Sequence, residues 1–203
     1  MIAVLTGDII NSENHDASAW MDMLKQYLHT FGKASVDWEI YRGDEFQLRL
    51  ATKDALRAAI GLKALLRTIR GLDARMAIGI GTETFIGDRV SDSNGTAYRF
   101  SGRTFNTLEQ NKRNLAIALD DKKLEITLNL ILKMASVFMD DWSQVSAEIV
   151  TMVLQNPDAS QKELAEKLKI QQSAVSQRVK RARLELVFEL LEYYENKLKE
   201  ITL

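Results

Sequence analysis

The chain of 203 residues contains no cysteine, and this absence excludes disulfide bonds and thiolate metal sites. The same absence fits a reducing compartment. Its apolar runs fall far short of the roughly 20 residues that a membrane-spanning helix needs. The first segment, MIAVLTGDII, has neither a basic leader nor a small-residue cleavage site. We therefore expect a cytoplasmic protein without a membrane segment.

The chain also has almost no net charge, since 27 basic residues face 28 acidic ones and the sequence pI is near 6.2. The whole molecule therefore has no general attraction for nucleic acid or for anionic membranes. Any binding to a polyanion must come from a local patch. The two histidines, His15 and His29, have no spacing typical of metal ligands.

Up to about residue 120, short strand-like runs alternate with helical patterns. In FQLRL the apolar Phe46, Leu48 and Leu50 alternate with polar residues, which is typical of a strand with one buried face. The predicted elements are a strand in IAVLTGDII, a helix over 17–31, strands in VDWEIY and FQLRL, a helix over 53–70, a strand in DARMAIGIGT, a helix over 95–110 and a strand in NLAIAL. The β-α-β-β-α-β order predicts a ferredoxin-like α+β domain.

From residue 121 onwards the pattern is almost continuously helical. Pro157 is the only proline in the chain and must interrupt this region. We predict two domains, a ferredoxin-like α+β domain over residues 1–122 and an all-α domain over residues 123–203. The all-α domain would contain a helix-turn-helix at 160–184 and a C-terminal amphipathic helix.

The segment DASQKELAEKLKIQQSAVSQRVKRARLEL predicts the helix-turn-helix. Ser160 is followed three residues later by Glu163, a capping box that begins a helix. A turn at residues 169–171 separates this helix from a second one that begins near Gln172 or Ser173. The predicted inward side chains are Leu164, Ala165, Leu168 and Ile170, then Val175, Val179, Ala182 and Leu186.

The opposite face of the second helix is polar without being acidic. Between Ser173 and Arg183 the sequence has four basic residues and no acidic one. Gln can pair with adenine, and Arg or Lys can contact guanine or phosphate. The predicted DNA-binding residues are Gln172, Ser173, Ser176, Gln177, Lys180 and Arg181. The segment resembles the helix-turn-helix of bacterial transcription regulators, and the alternative is a solvated helix pair within a bundle.

The last segment, LELVFELLEYYENKLKEITL, predicts a long amphipathic helix. Its apolar stripe consists of Leu186, Leu190 or Leu191, Tyr194 and Leu198. The stripe could close the helical domain or form a dimer contact. We expect a homodimer, because two-fold symmetric operators usually bind dimers.

Two Gly-Asp pairs lie at the ends of neighbouring strands in the predicted sheet, one after the first strand and one before FQLRL. Gly7-Asp8 lies at the end of the first strand, and Gly43-Asp44-Glu45 lies at the hairpin before FQLRL. In the predicted strand order, Asp8 and Asp44 would approach one another at one edge of the sheet. Converging carboxylates repel unless a cation neutralises them, and oxygen ligands favour Mg²⁺ or Mn²⁺. Two such ions could hold a nucleoside triphosphate.

These pairs resemble motifs of the palm-type domains of class III nucleotide cyclases and GGDEF diguanylate cyclases. The resemblance implies that Asp8, Asp44 and Glu45 are metal ligands, with the carbonyl of Ile9 as a further one. It also implies that Arg99, Arg103 and Asn106, spaced along one helix face, contact a nucleotide ligand. VLTGDIINS, YRGDEFQ and the helix-turn-helix together resemble the SatD family over nearly the whole chain.

The sequence departs from the GGDEF signature at Arg42, which stands where the signature has its first glycine. Diguanylate synthesis is therefore not expected. Three interpretations of the carboxylates remain open: a solvated hairpin tip, a ligand-sensing site and a cyclase-like enzyme. We expect a DNA-binding transcriptional regulator whose palm-like domain responds to a nucleotide or metal, and a Mg-dependent cyclase-like enzyme is the alternative.

Overall fold

The computed structural model describes residues 1–202, and over these residues the chain is a mixed α+β protein with a five-stranded sheet and eight α-helices. The strands are β1 (Ile2–Ile10), β2 (Trp38–Tyr41), β3 (Glu45–Leu50), β4 (Asp73–Gly81) and β5 (Leu115–Ala118). The helices are α1 (Met21–His29), α2 (Ala55–Arg67), α3 (Thr96–Leu108), α4 (Lys122–Met139), α5 (Gln144–Gln155), α6 (Gln161–Leu168), α7 (Gln172–Arg181) and α8 (Leu184–Thr202). Leu203 of the predicted second domain lies outside the described residues.

The strand order in the sheet is β2-β3-β1-β4-β5. The central strand, β1, is antiparallel to both of its neighbours, with Gly7 opposite Phe46 on β3 and Asp8 opposite Arg75 on β4. The last strand, β5, runs parallel to β4. The expected pairing of the first strand with the strand that begins at Glu45 is confirmed.

Different helices pack against the two faces of the sheet. Leu5, Phe46 and Leu48 point into the main core, where α2 supplies a row of buried alanines and leucines. On the other face α3 packs closely against β4, because a side chain at Gly79 would clash with the backbone at Ala97. The polar residues of β1 and β3 therefore lie on the α3 side of the sheet.

The C-terminal helices begin and end at the predicted signals. The fifth helix, α5, ends before Pro157, and the capping box at the start of α6 is formed, with Glu163 Oε2 accepting the Ser160 amide hydrogen at 2.7 Å. Lys169 ends α6 in the left-handed conformation, at φ 53°. The amide of Ile170 then donates to the Ala165 carbonyl at 3.0 Å, the six-to-one bond of a Schellman motif. These bonds define a short turn between α6 and α7.

One residue of the predicted inward stripes is wrongly placed, because Leu186 is exposed. Arg183, which lies between α7 and α8, has φ 55°, so α8 begins with a new helical phase. Leu184 and Val187 are buried where a continuous stripe would have buried Leu186. The remaining stripe on α8 is used within the chain, since buried Tyr194 donates its hydroxyl hydrogen to the Thr52 carbonyl at 2.7 Å.

The α+β part and the C-terminal helices share one continuous cluster of buried apolar side chains. Trp142 connects them at one point, since its indole Nε1 donates to the Ala182 carbonyl at 2.9 Å and its own carbonyl accepts from Arg67 at 2.9 Å. Trp20, Trp38 and Trp142 are all buried. The boundary near residue 122 stays a prediction. Over residues 1–202, no helix combines the length and the apolar character needed to cross a membrane.

Candidate functional site

The β2–β3 hairpin presents the Gly-Asp-Glu segment at its tip. Tyr41 pairs with Glu45, so the loop consists of residues 42–44. Arg42 and Gly43 both lie in the left-handed region, with φ of 54° and 88°. Glycine adopts this conformation without strain, and a glycine would therefore suit position 42 as well. Arg42 is exposed, so its side chain points away from the core.

Gly7, in the first Gly-Asp pair, is required for packing. A Cβ atom at this position would lie 2.7 Å from Phe46 Cζ and 2.8 Å from the Arg75 carbonyl oxygen. The glycine thus allows β3 and β4 to enclose β1 tightly just before Asp8. Its presence has a structural reason that does not depend on any ligand.

Asp8 forms a two-point ion pair with Arg75 on the neighbouring strand. Arg75 Nη2 lies 2.7 Å from Asp8 Oδ2, and Arg75 Nε lies 3.2 Å from Asp8 Oδ1. Arg75 Nη1 is also 3.3 Å from Glu109 Oε2 at the end of α3. Hydrogen bonding to Asp8 raises the pKa of Arg75 above its ordinary value. The charge of Asp8 is therefore balanced by a guanidinium from within the chain.

Asp8 and Asp44 line the same cavity, of about 400 Å³, at the end of β1. Asp44 accepts a short hydrogen bond from the Ser12 hydroxyl. The cavity also has a basic side, formed by Arg75, Lys112 and Arg113. With Glu13 and Glu109 also in its lining, the cavity combines four carboxylates with three cations, a mixture suited to a ligand that carries both phosphates and a metal ion.

Glu45 does not line this cavity, although it is next to Asp44. It lies beside Tyr41, whose pKa is raised by burial and, to a lesser degree, by the negative charge of Glu45. Among residues 1–202, no group of three or more His, Cys, Asp or Glu side chains is arranged to hold a metal ion. The structure thus brings two of the three predicted metal ligands together.

The predicted nucleotide contacts lie elsewhere on the same side of the sheet. Arg99, Arg103 and Asn106 are exposed along the outer face of α3, as their spacing predicted. They do not line the cavity that contains Asp8 and Asp44. Of α3 and its cap, Glu109 is the residue that reaches that cavity.

A second polar cluster on this face was not predicted. Arg49 donates to both carboxylate oxygens of Glu83, at 2.7 and 2.9 Å, and the Tyr98 hydroxyl donates to Glu83 at 2.6 Å. Burial raises the pKa of Glu83, but the hydrogen bonds from Arg49 and Tyr98 outweigh it and leave that pKa below its ordinary value. The only signal in the sequence was the polar side of the alternating pattern on β3.

The predicted DNA-binding residues form one exposed surface on α7. All six of them, Gln172, Ser173, Ser176, Gln177, Lys180 and Arg181, are exposed. None of the six has a side-chain hydrogen bond or ion pair to another residue within the described part of the chain. Arg178 differs from them, since its Nη1 lies 2.7 Å from Glu148 Oε2 on α5. That ion pair attaches α7 to α5 and leaves the outer face available.

Comparison with known protein families shows which family the chain belongs to. The family model described as the SatD family matches residues 1–196. No curated protein and no solved structure matches the chain. Because the matched segment covers nearly all of the sequence, the chain belongs to the SatD family.

Proposed function

We propose that this protein is a cytoplasmic DNA-binding transcriptional regulator that uses α7 as its recognition helix. The observation that carries the proposal is the outer face of α7. It presents two glutamines, two serines and two cations, all exposed and none engaged with the described residues. These side chains are suited to base edges and phosphates in a major groove.

The arrangement of α6 and α7 supports the same conclusion. The two helices are joined by the three residues 169–171, a connection typical of a helix-turn-helix. Val175 is buried on the inner side of α7, and Ala182 is buried at the end of this helix. The polar outer face can therefore enter a groove without exposing the core.

The palm-like assignment of the α+β part is supported by the strand order β2-β3-β1-β4. This is the order and direction expected for a ferredoxin-like β-α-β-β-α-β unit, with β5 added beside β4. We propose that the cavity at Asp8 and Asp44 is its sensory site, for a nucleotide bound with Mg²⁺ or Mn²⁺.

The donor set fits such a ligand better than a metal ion alone. Mg²⁺ usually takes one or two carboxylates together with phosphate oxygens and waters. Asp8, Asp44 and the carbonyl of Ile9 would hold the ion, whereas Glu45, the remaining predicted ligand, would have to turn towards the cavity to reach it. Arg75 would have to release Asp8, and the phosphates would then neutralise Arg75 and its basic neighbours. Arg99, Arg103 and Asn106 remain proposed contacts for a more distant part of the nucleotide.

Coupling between this site and α7 requires that the nucleotide bind two arrangements of the chain with different affinity. Trp142 offers a physical connection, because it forms hydrogen bonds with Arg67 on α2 and with the end of α7.

Asp44→Asn should weaken binding of Mg-nucleotide and shift DNA affinity, whereas Asp22→Asn on the exposed side of α1 should change neither. If Asp44→Asn altered neither quantity, the coupling would be wrong.

We propose that the homodimer forms through α4, because the apolar stripe of α8 is already buried within the chain. Four apolar residues of α4 are between 58% and 73% exposed on one face: Ile126, Leu130, Met134 and Val137. An antiparallel second copy would place Leu130 near the partner's Met134. It would also place exposed Lys123 near the partner's Asp141, so the two ends of the face are complementary in charge.

The regulator is tested by incubating the purified full chain with sheared genomic DNA at several salt concentrations and sequencing the retained DNA. Contacts to phosphate weaken steeply with salt, whereas base-specific recognition keeps a small set of sites. Recovery of shared sites would support the proposal. Retention of no sequence at any salt concentration would contradict it.

The alternative is a Mg-dependent cyclase-like enzyme, and the cavity shared by Asp8 and Asp44 is the observation that favours it. Incubating the protein with Mg²⁺ or Mn²⁺ and each nucleoside triphosphate, followed by chromatography, separates the two functions. Consumption of a triphosphate that Asp44→Asn abolishes would support the enzyme. If no triphosphate were consumed, the enzyme would be excluded.

A further inference from the structure

A cavity of about 610 Å³ lies where α1 and α2 meet α5. It is on the opposite side of the sheet from Asp8 and α3, since α1 and α2 cover the main core. Its walls are mostly apolar and include Met23, Tyr27, Phe31, Leu65 and Leu154. Its size falls within the range of about 300–1,000 Å³ typical of sites for small organic ligands.

A buried hydroxyl in this cavity has no hydrogen-bond partner. Thr151 on α5 is 8% exposed and lines the cavity, and its Oγ1 makes no hydrogen bond to any described residue. A buried hydroxyl in this state is costly, and most such groups in folded proteins are paired. Thr151 can therefore donate to a ligand that enters the cavity.

A positive charge in the same cavity also lacks a partner. Arg57 on α2 lines the cavity and is partly buried, and it forms no ion pair within residues 1–202. Tyr27 does not compete as a donor to the ligand, because its hydroxyl hydrogen is already donated to the Ala58 carbonyl at 3.0 Å. The guanidinium thus provides two parallel donors beside apolar walls, the arrangement that binds a carboxylate at two points.

We propose that this cavity binds a small organic monocarboxylate with an apolar body. Arg57 would hold the carboxylate, Thr151 would donate a further hydrogen bond, and the body would contact Phe31, Leu65 and Leu154. The ligand would lie against α5, the helix to which Arg178 of α7 is paired. The proposal concerns binding alone and does not depend on DNA recognition.

The test is calorimetric titration of the full chain with 2-naphthoate, decanoate and 4-phenylbutyrate, using the primary amide of each acid as its uncharged control. At least one carboxylate should bind with saturation at one site, and its amide should bind at least tenfold more weakly. Arg57→Gln should remove that tenfold preference. Arg70→Gln, at an exposed arginine just beyond α2, should keep it.

Thr151→Val provides a second variant that preserves the shape of the side chain. Since it removes an unpaired hydroxyl, its melting temperature should equal or exceed that of the natural chain, while carboxylate affinity falls severalfold. Three outcomes would overturn the proposal. They are absence of saturable binding with all three carboxylates, equal affinity for acid and amide, and unchanged affinity in both Arg57→Gln and Thr151→Val.

Discussion

Lys63 Nζ on α2 lies 2.8 Å from both carboxylate oxygens of Asp73, the first residue of β4. The same nitrogen lies 2.7 Å from Asp140 Oδ1 at the end of α4, and Lys63 is 1% exposed. Arg67 Nη1 also contacts Asp73, at 2.7 Å. This buried network joins the sheet to the start of the C-terminal helices.

Lys63→Met should lower the free energy of unfolding by about 3–5 kcal/mol, because it leaves the buried carboxylate of Asp73 without its main partner and with Arg67 alone. Chemical denaturation measures the loss. The matched control is Lys53→Met, at an exposed lysine before α2, which should change the free energy by no more than about 0.5 kcal/mol. Equal stability of the two variants would show that the network contributes nothing.

Trp142→Phe should destabilise the chain more than Trp20→Phe. Both indoles are buried, but Trp142 Nε1 donates to Ala182 whereas Trp20 Nε1 has no partner among the described residues. The Trp142 variant leaves a carbonyl without its donor, which costs about 1–3 kcal/mol beyond the loss of packing. Thermal or chemical unfolding of the two variants checks the difference. A larger loss for Trp20→Phe would contradict the role of Trp142 as the connection to α7.

Glu83→Gln should remove stability that depends on pH. The hydrogen bonds from Arg49 and Tyr98 outweigh burial and lower the pKa of Glu83, so its ionised form is favoured in the folded state. The stability that it contributes is present above its ordinary pKa of 4.5 and is lost as the pH falls through the lower folded value. The difference in unfolding free energy between the natural chain and the variant should therefore be full at pH 7 and shrink in acid. A difference that grew below pH 4.5 would contradict the direction of the shift.

Leu130→Glu should abolish the proposed dimer, because it places a charge in the centre of the apolar face of α4. Sedimentation velocity should show a dimer for the natural chain and a monomer for the variant. Leu186→Glu is the matched control, since Leu186 is an exposed leucine on α8, and this variant should remain dimeric. A natural chain that stayed monomeric at high concentration would remove α4 as the interface.

Local signals in the sequence predicted the elements well. The capping pair Ser160 and Glu163, the break at Pro157 and the alternation from Phe46 to Leu50 each depend on residues a few positions apart. Each of them follows from the backbone geometry of a single helix end or a single strand. Such features can be recognised without knowing where the rest of the chain lies.

Contacts between distant segments were harder to predict. The partner of Asp8 is Arg75, 67 residues away, and only the register of β1 against β4 places them opposite one another. The misplacement of Leu186 has a local cause instead. Arg183 adopts the left-handed conformation, which arginine rarely does, so the sequence did not signal the change of helical phase. The carboxylate site was therefore predicted as a meeting of acids, without the basic residue that balances Asp8.

The central claim is that the exposed face of α7 reads DNA, and the most direct measurement is the affinity of the full chain for a site selected from genomic DNA, between about 50 and 200 mM salt. Lys180→Gln should weaken binding and reduce the salt slope by about one, whereas Gln177→Ala should cost about 1–3 kcal/mol at its base pair and relax specificity there. Lys25→Gln, on the exposed side of α1, should change neither. If Lys180→Gln and Gln177→Ala bound with the same affinity and salt slope as the natural chain, α7 would not be the recognition helix.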